Sequence, residues 1–173
     1  METGLALSDA TVNYIKSGGF TQAVIVGGPV AIPDAVKTQL TENTGVKNIN
    51  RLGGAGCYNT SRIIAEWEMG KLKNGTSAST GSLYKYVQVQ FQPATKLGIN
   101  NVGVSRGDNW KDAIAGSALC GMNKAVLLLA DGTNSANTAV AKTYKANVAK
   151  GYVFGGTQAV PAKVYNQFVA ATK

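Results

Sequence analysis

The sequence predicts an α/β fold, a mainly parallel sheet of five or six strands with helices on both faces in three layers. Three observations lead there. Short apolar runs rich in β-branched residues alternate with segments whose apolar residues recur at helical spacing. Glycine-rich turns follow the runs, and no two short runs join as a hairpin outside one polar insert. A strand-turn-helix unit is also written twice. Val24–Val36 reads VIVGGPVAIPDAV and Tyr152–Val164 reads YVFGGTQAVPAKV, at a constant offset of 128 residues through Gly27/Gly155, Gly28/Gly156, Ala31/Ala159, Pro33/Pro161, Val36/Val164 and Gln39/Gln167.

Asp9–Lys16 reads as a short helix with Val12 and Ile15 on one face. Ala23–Val26 is an unbroken apolar run, suited to a strand buried on both faces of a parallel sheet. Gly27-Gly28 lets the backbone turn sharply. Pro33 fits the first turn of the next helix, where its missing N–H costs nothing, and Val36 and Leu40 share one face of that helix. Val46–Leu52 is the next strand, followed by Gly53-Gly54-Ala55-Gly56 and a helix through Ile63, Ile64 and Trp67 capped by Asn59 or Thr60. Gly70–Ser82 is small and polar, a surface loop, and Tyr84–Phe91 alternates like an exposed or edge strand.

Asn101–Ser105 is a strand, Arg106–Asn109 a turn, and Trp110–Met122 a helix that buries Ile114, Ala115, Ala118 and Leu119. Ala125–Ala130 is the most apolar strand, with Leu127–Leu129 in the core. Asp131–Asn134 is a turn and Ser135–Val148 a helix, and the second copy of the repeated unit closes the sequence. In a parallel sheet the loops after the strands gather at one edge. The loops GGPVA, LGGAGCYN, SRGDN, ADGTN and GGTQA therefore mark where a ligand site is expected.

Net charge is +8, and after Asp131 the only charged residues are Lys142, Lys145, Lys150, Lys163 and Lys173. That balance favours a polyanionic partner, with a solvated lysine face as the alternative. No nucleic-acid-binding motif is present, so no nucleic-acid partner is expected. The absence of histidine removes Ser-His-Asp and Cys-His catalysis and the commonest zinc ligand. With only two cysteines besides, no metal site is expected. Cys57 falls at the loop edge and Cys120 near the far end of a helix starting there, about 15 Å away for ten residues, so no disulfide is expected between them.

The dinucleotide fingerprint fails at Asn59 and no phosphate-binding P-loop occurs, which leaves no expected cofactor. Asp108 and Asp112 at a helix start could form a carboxylate pair for acid–base or metal chemistry, but a helix N-terminus also stabilises carboxylates, which favours capping. No apolar stretch approaches the roughly 20 residues of a membrane span, and Met1-Glu2-Thr3 leads into no secretory signal.

Four segments stand in a fixed order: RLGGAGCYNTSRIIAEW (Arg51–Trp67), VGVSRGDNWKDAIAGSALCG (Val102–Gly121), AVLLLAD (Ala125–Asp131) and YVFGGTQAVPAKV. They resemble the signature segments of the cell wall binding repeat 2 family, surface-anchoring repeats of Gram-positive bacteria. The resemblance covers residues 46–173, with an atypical polar insert at about 71–98. Residues 1–45 match only the tail of a preceding repeat, which accounts for the duplicated unit.

The resemblance implies a flavodoxin-like, Rossmann-like fold and a secreted, cell-surface location. It also implies a non-catalytic module that anchors its parent to an anionic secondary cell wall polymer. Neighbouring repeats are implied as partners, packed about a pseudo-threefold axis, so an excised piece is expected to form a homo-oligomer, a trimer. By the same resemblance Arg51, Tyr58, Asn59, Arg106, Asp108, Asn109, Lys111 and Asp112 would line the polymer site. Two departures stand out: Cys57 replaces the family's arginine before Tyr58, and Trp110-Lys111 replaces its Phe-Pro. A structural or adhesive surface domain, and more remotely a wall-glycan hydrolase with its two carboxylates, are the alternatives.

Overall fold

The computed structural model describes residues 6–78, 85–94, 100–131, 137 and 148–172. The chain divides into two compact units, Met1–Gly56 with Leu72–Gln92, and Cys57–Lys71 with Pro93–Lys173. The α/β class and the parallel pairing are as expected. Among the described residues, however, the strands form a sheet of four and a sheet of three, not one of five or six.

In the first unit, helix α1 (Asp9–Ser17) is capped by Ser8, whose hydroxyl accepts from the Thr11 N–H at 3.2 Å. Strand β1 (Gln22–Val26) pairs in parallel with β2 (Asn48–Gly53), and helix α2 (Asp34–Thr44) connects them. Pro33 stands immediately before α2 instead of within its first turn. Gly45, at φ +83°, ends α2 in the left-handed region where glycine carries no steric penalty. Ile25, Val36, Leu40, Val46 and Ile49 form the core of this unit. Expected burial of β1 on both faces is not found, since Val24 and Val26 are 37% and 48% exposed. The strand lies at the sheet edge and packs one face only.

The polar insert completes the same sheet. Strands β3 (Ser77–Ala78) and β4 (Tyr86–Gln88) join it in antiparallel pairing, giving the order β1-β2-β4-β3. The stretch read as an exposed or edge strand is therefore interior, with Val87 and Val89 buried. Asn50, fully buried, extends the pairing with its side chain. Its Oδ1 accepts from the N–H groups of Gln90 and Phe91 at 2.7 and 3.2 Å, and its Nδ2 donates to the Phe91 carbonyl at 2.9 Å.

In the second unit, strand β5 (Asn101–Arg106) lies between β6 (Val126–Ala130) and β7 (Lys150–Phe154), all parallel. Helix α3 (Cys57–Glu68) starts two residues before the expected cap. Val102, Val104, Val126 and Leu128 share a core with Val164, Phe168 and Ala171 of the last helix, α5 (Ala162–Thr172). Helix α4 (Trp110–Met122) has its expected bounds but buries a different face. Gly116 and Cys120 are buried, while Ile114 and Leu119 are 60% and 41% exposed. Small residues win because the helix approaches closely: a Cβ on Gly116 would lie 2.5 Å from the Phe154 ring, and Cys120 Sγ lies 2.6 Å from where a Cβ of Gly103 would be. Both cysteines are free. The helix expected over 135–148 falls largely outside the described residues.

The duplicated unit has the same conformation in both copies. Gly27 and Gly155 take φ +123° and +113°. Ala31 and Ile32 donate to the Gly28 carbonyl at 3.0 and 2.9 Å, and Ala159 and Val160 to the Gly156 carbonyl at 2.9 and 2.8 Å.

Candidate functional site

The second unit brings several of the expected site residues together at the carboxyl end of β5. Tyr58 sits in the first turn of α3, and its ring covers Gly107, where a Cβ would come within 2.5 Å of the ring. Any other residue at 107 would push the phenol off this loop. Asn137, buried, fastens the helix start: its Nδ2 donates to the carbonyls of Tyr58 and Leu129 at 2.7 and 2.5 Å and to Ser61 Oγ at 3.1 Å. The Cys57 thiol lies 3.8 Å from the Gly107 carbonyl. Asn59 follows within the same turn of α3.

Arg106 ends β5 and forks onto both carboxylate oxygens of Asp108, while its Nη1 donates to the Gln158 carbonyl at 3.0 Å. Asn109 caps α4 by accepting from the Lys111 N–H at 3.3 Å, which confirms capping chemistry at this helix start. Asp112 stands in the first turn, its carboxylate 2.7 Å from where a Cβ of Gly155 would be. Arg106, Asp108, Asn109, Gln158 and Ala159 line a cleft of about 380 Å³. Gln158 was missed in the sequence because it contributes here through its carbonyl, and nothing about its side chain marked it.

Electrostatics give these groups different parts. Hydrogen bonding from Arg106 holds the Asp108 carboxyl below the usual carboxylate range. The Arg106 charge is thereby engaged within the chain, and exposed Lys111 is the cation of this loop with no ion pair among those described. Burial raises the Tyr58 phenol first, reinforced at alkaline pH by the charges of Cys57, Asp108 and Asp131 against the opposing pull of Arg106. The phenol thus stays a hydrogen-bond donor over a wide pH range. Guanidinium, amide and carboxylate groups line this cleft, and the Tyr58 phenol over Gly107 and exposed Lys111 belong to the adjoining segments, a mixture that suits a polar, hydroxyl-rich and partly charged ligand.

Arg51 does not line a solvent-facing edge as expected. It belongs to the first unit and is 3% exposed. Its Nη1 donates to the carbonyls of Gly27 and Ile32 and its Nη2 to Asp34, all at 2.9 Å. The guanidinium is consumed in holding the double-glycine turn, because β2 places it directly behind that turn.

A second cavity of about 460 Å³ lies within the second unit between α3 and α4. Ile64, Trp110, Ile114, Leu127 and Leu129 line it, with Glu68 and Lys124 at its polar margin. Only Leu128 of the leucine triplet enters the core. Leu127 and Leu129 are half-buried on the opposite face, because successive strand residues alternate sides. Burial also raises the Glu68 carboxyl above its ordinary value. This groove was not legible in the sequence, where the triplet read as uniform core.

Residues 51–165 match the family Cell wall binding domain 2 (CWB2). The chain is 28% identical over 162 residues to N-acetylmuramoyl-L-alanine amidase LytC of Bacillus subtilis (strain 168), covering 94% of this chain and 26% of that protein. Among solved structures it is similar to Cwp6 from Clostridium difficile, with TM-score 0.72 and 18% identity over 96% of this chain and 22% of that one. It is also similar to Cwp8 from Clostridium difficile, with TM-score 0.60 and 20% identity over 88% of this chain and 20% of that one. The chain therefore spans about a quarter or less of the length of each of these relatives, and the structural likenesses speak to fold alone.

Proposed function

Since the chain belongs to the Cell wall binding domain 2 family, we propose that it is a non-catalytic anchoring module that holds a secreted protein to an anionic polymer of a Gram-positive cell wall. The observation that carries the finer part of this reading is the cleft of about 380 Å³ at the end of β5. Asn109, Asp108 and Tyr58 would meet sugar hydroxyls, and Lys111 would meet phosphate or carboxylate. Asn59 and Asp112 flank them, and Arg106 would act by holding Asp108 in place. Each exposed charge contact contributes at most about 1 kcal/mol, so one module binds weakly and gains from neighbours through avidity.

On this reading residues 1–45 are the tail of one repeat and 46–173 a complete one, with the insert at about 71–98, each repeat adopting the flavodoxin-like packing of its family. A pull-down on wall sacs before and after hydrofluoric acid, which strips phosphodiester-linked polymers, tests the ligand. Retention before and loss after treatment is expected, with steep weakening as ionic strength rises and a further loss for Lys111→Ala. Equal retention on stripped sacs would overturn the anionic polymer as ligand.

One observation favours a second reading, a structural role in which repeats pack on each other. Helix α4 leaves Trp110, Ile114, Leu119 and Met122 exposed at 65%, 60%, 41% and 85%. Exposed apolar residues of this kind suit association into the proposed homotrimer. Light scattering at micromolar concentration tests this, and a monomer at every concentration would remove it.

A further inference from the structure

The duplicated unit makes each copy a control for the other. The two turns match in φ and in their hydrogen bonds, yet their burial differs. Ile25 is 4% exposed and Gly27 is buried, whereas their counterparts Val153 and Gly155 are half-buried and exposed. A Cβ on Gly28 would meet the Tyr86 ring at 2.4 Å, but one on Gly156 would meet nothing within 4 Å. The first copy is covered by β2 and β4.

Backbone parity shows which edge of the second copy is uncovered. Along a strand, alternate residues direct their N–H and C=O groups to opposite edges. β1 turns its odd-numbered residues to β2: the Thr21 carbonyl accepts from the Asn48 N–H, and the Gly27 N–H donates to the Leu52 carbonyl. The offset of 128 carries that edge to Gly151, Val153 and Gly155. β7 uses its other edge for β5, since the Lys150 N–H donates to the Asn100 carbonyl and the Phe154 carbonyl accepts from the Ser105 hydroxyl. Among the described residues β7 pairs with β5 alone. Among the described residues, the edge that β2 covers in the first copy is open in the second.

We propose that this open edge of β7 receives a parallel strand from another copy of the repeat, a second Val46–Gly53 segment whose arginine enters the Gly155 turn. The register transposes directly: Lys150–Phe154 would stand opposite a second Asn48–Leu52, as Gln22–Val26 stands opposite the first. The incoming guanidinium would find the carbonyls of Gly155 and Val160, the counterparts of the Gly27 and Ile32 carbonyls that Arg51 holds. Ala162 replaces Asp34, so the third contact is missing and this clamp is the weaker of the two. A second Gly53 fits against Gly155-Gly156 for the reason the first does, a Cβ there lying 2.7 Å from the backbone of the double-glycine turn. Successive repeats are then stitched together, each lending a strand to the sheet that the preceding repeat begins. This rests on the repeat reading of the chain but not on any polymer.

The offset sets Lys173 against Gly45, so a second copy of residues 46–94 joined directly after Lys173 has the spacing that β1 and β2 already have. Amide hydrogen exchange would be compared between the chain and this extended chain. In the extended chain the Val153 and Gly155 amides should exchange about tenfold or more slowly, and Arg51→Ala in the added segment should return most of that protection. Unchanged exchange at both amides would overturn the proposal, because tethering places the added strand at roughly millimolar effective concentration. Displacement of the original Asn48–Gly53 from β1 by the added segment, with β7 left bare, would overturn it too. Failure on wall sacs would leave all these outcomes unaffected.

Discussion

Arg51→Met separates a structural arginine from a ligand-binding one. In the folded chain the guanidinium makes three bonds of 2.9 Å, to the carbonyls of Gly27 and Ile32 and to Asp34. Bonds to a charged group contribute about 1.5–3 kcal/mol each when the partner is buried. The Asp34 side chain is 74% exposed, so that pair adds at most about 1 kcal/mol. Against these stands the cost of burying the guanidinium, whose Nε has no partner in the structure. Methionine keeps the apolar stem and removes that cost, but orphans the buried Gly27 carbonyl. The balance is a loss of about 2–3 kcal/mol, whereas Asp34→Asn should lose at most about 1 kcal/mol. In a domain of this size the melting temperature should fall by roughly 4–12 °C. Because the chain forms two units, amide exchange at Gly27, which donates to Leu52, should accompany thermal melting so that the loss is assigned to the first unit. An unchanged melt and unchanged exchange, together with lost wall retention, would refute this account and return Arg51 to the ligand.

Asn137→Ala removes the two N–H donors that three buried or partly buried acceptors share and should cost about 2–3 kcal/mol, read by urea unfolding, with Tyr58 freed from its position over Gly107. Gly116→Val should lose about 1–3 kcal/mol by driving α4 off the Phe154 ring, while Gly121→Ala on the same helix, with no atom within 4 Å, should gain about 0.5–1 kcal/mol. The Asp108 carboxyl titrates below its unfolded value, so its contribution is present above the ordinary carboxylate range and is lost as pH falls through the folded value. Melting between pH 5 and pH 2 should therefore fall less steeply in Arg106→Gln, which lacks that shift.

The parts of the fold that sequence could show are those where backbone geometry dictates residue type. Gly27 and Gly155 take positive φ that other residues resist, so the double-glycine turns were readable, and with them the repeat. Helix α4 was readable to both ends because Asn109 caps it and Asn123 stops it. Its buried face was not, because hydrophobicity ranks isoleucine and leucine inward while close approach to Phe154 selects Gly116. The division into two sheets was hidden in the insert: Tyr84–Phe91 was readable as a strand, but polar composition concealed β3 and with it the interior place of β4 beside β2. At the site, Asn109, Asp108 and Arg106 were visible as a turn before a helix, but their ion pairing was not. Arg51 misled for a physical reason: a charge reads as solvent-facing unless its partners are known, and two of them are main-chain carbonyls that no side chain advertises.

The way Asn50 grips the insert makes this region a natural place to graft foreign sequence. One buried amide takes the place of a strand's backbone for Gln90 and Phe91, and Gln92 in turn holds the Leu72 carbonyl at 2.8 Å. Both ends of the excursion are thus anchored to the sheet independently of what connects Ala78 to Lys85. Lengthening a connection whose ends are already fixed costs little, about 0.6 kcal/mol per doubling. A peptide epitope spliced there would be carried by the first sheet while leaving the residues of the Arg106 cleft unchanged, turning a cell wall binding domain into a display scaffold.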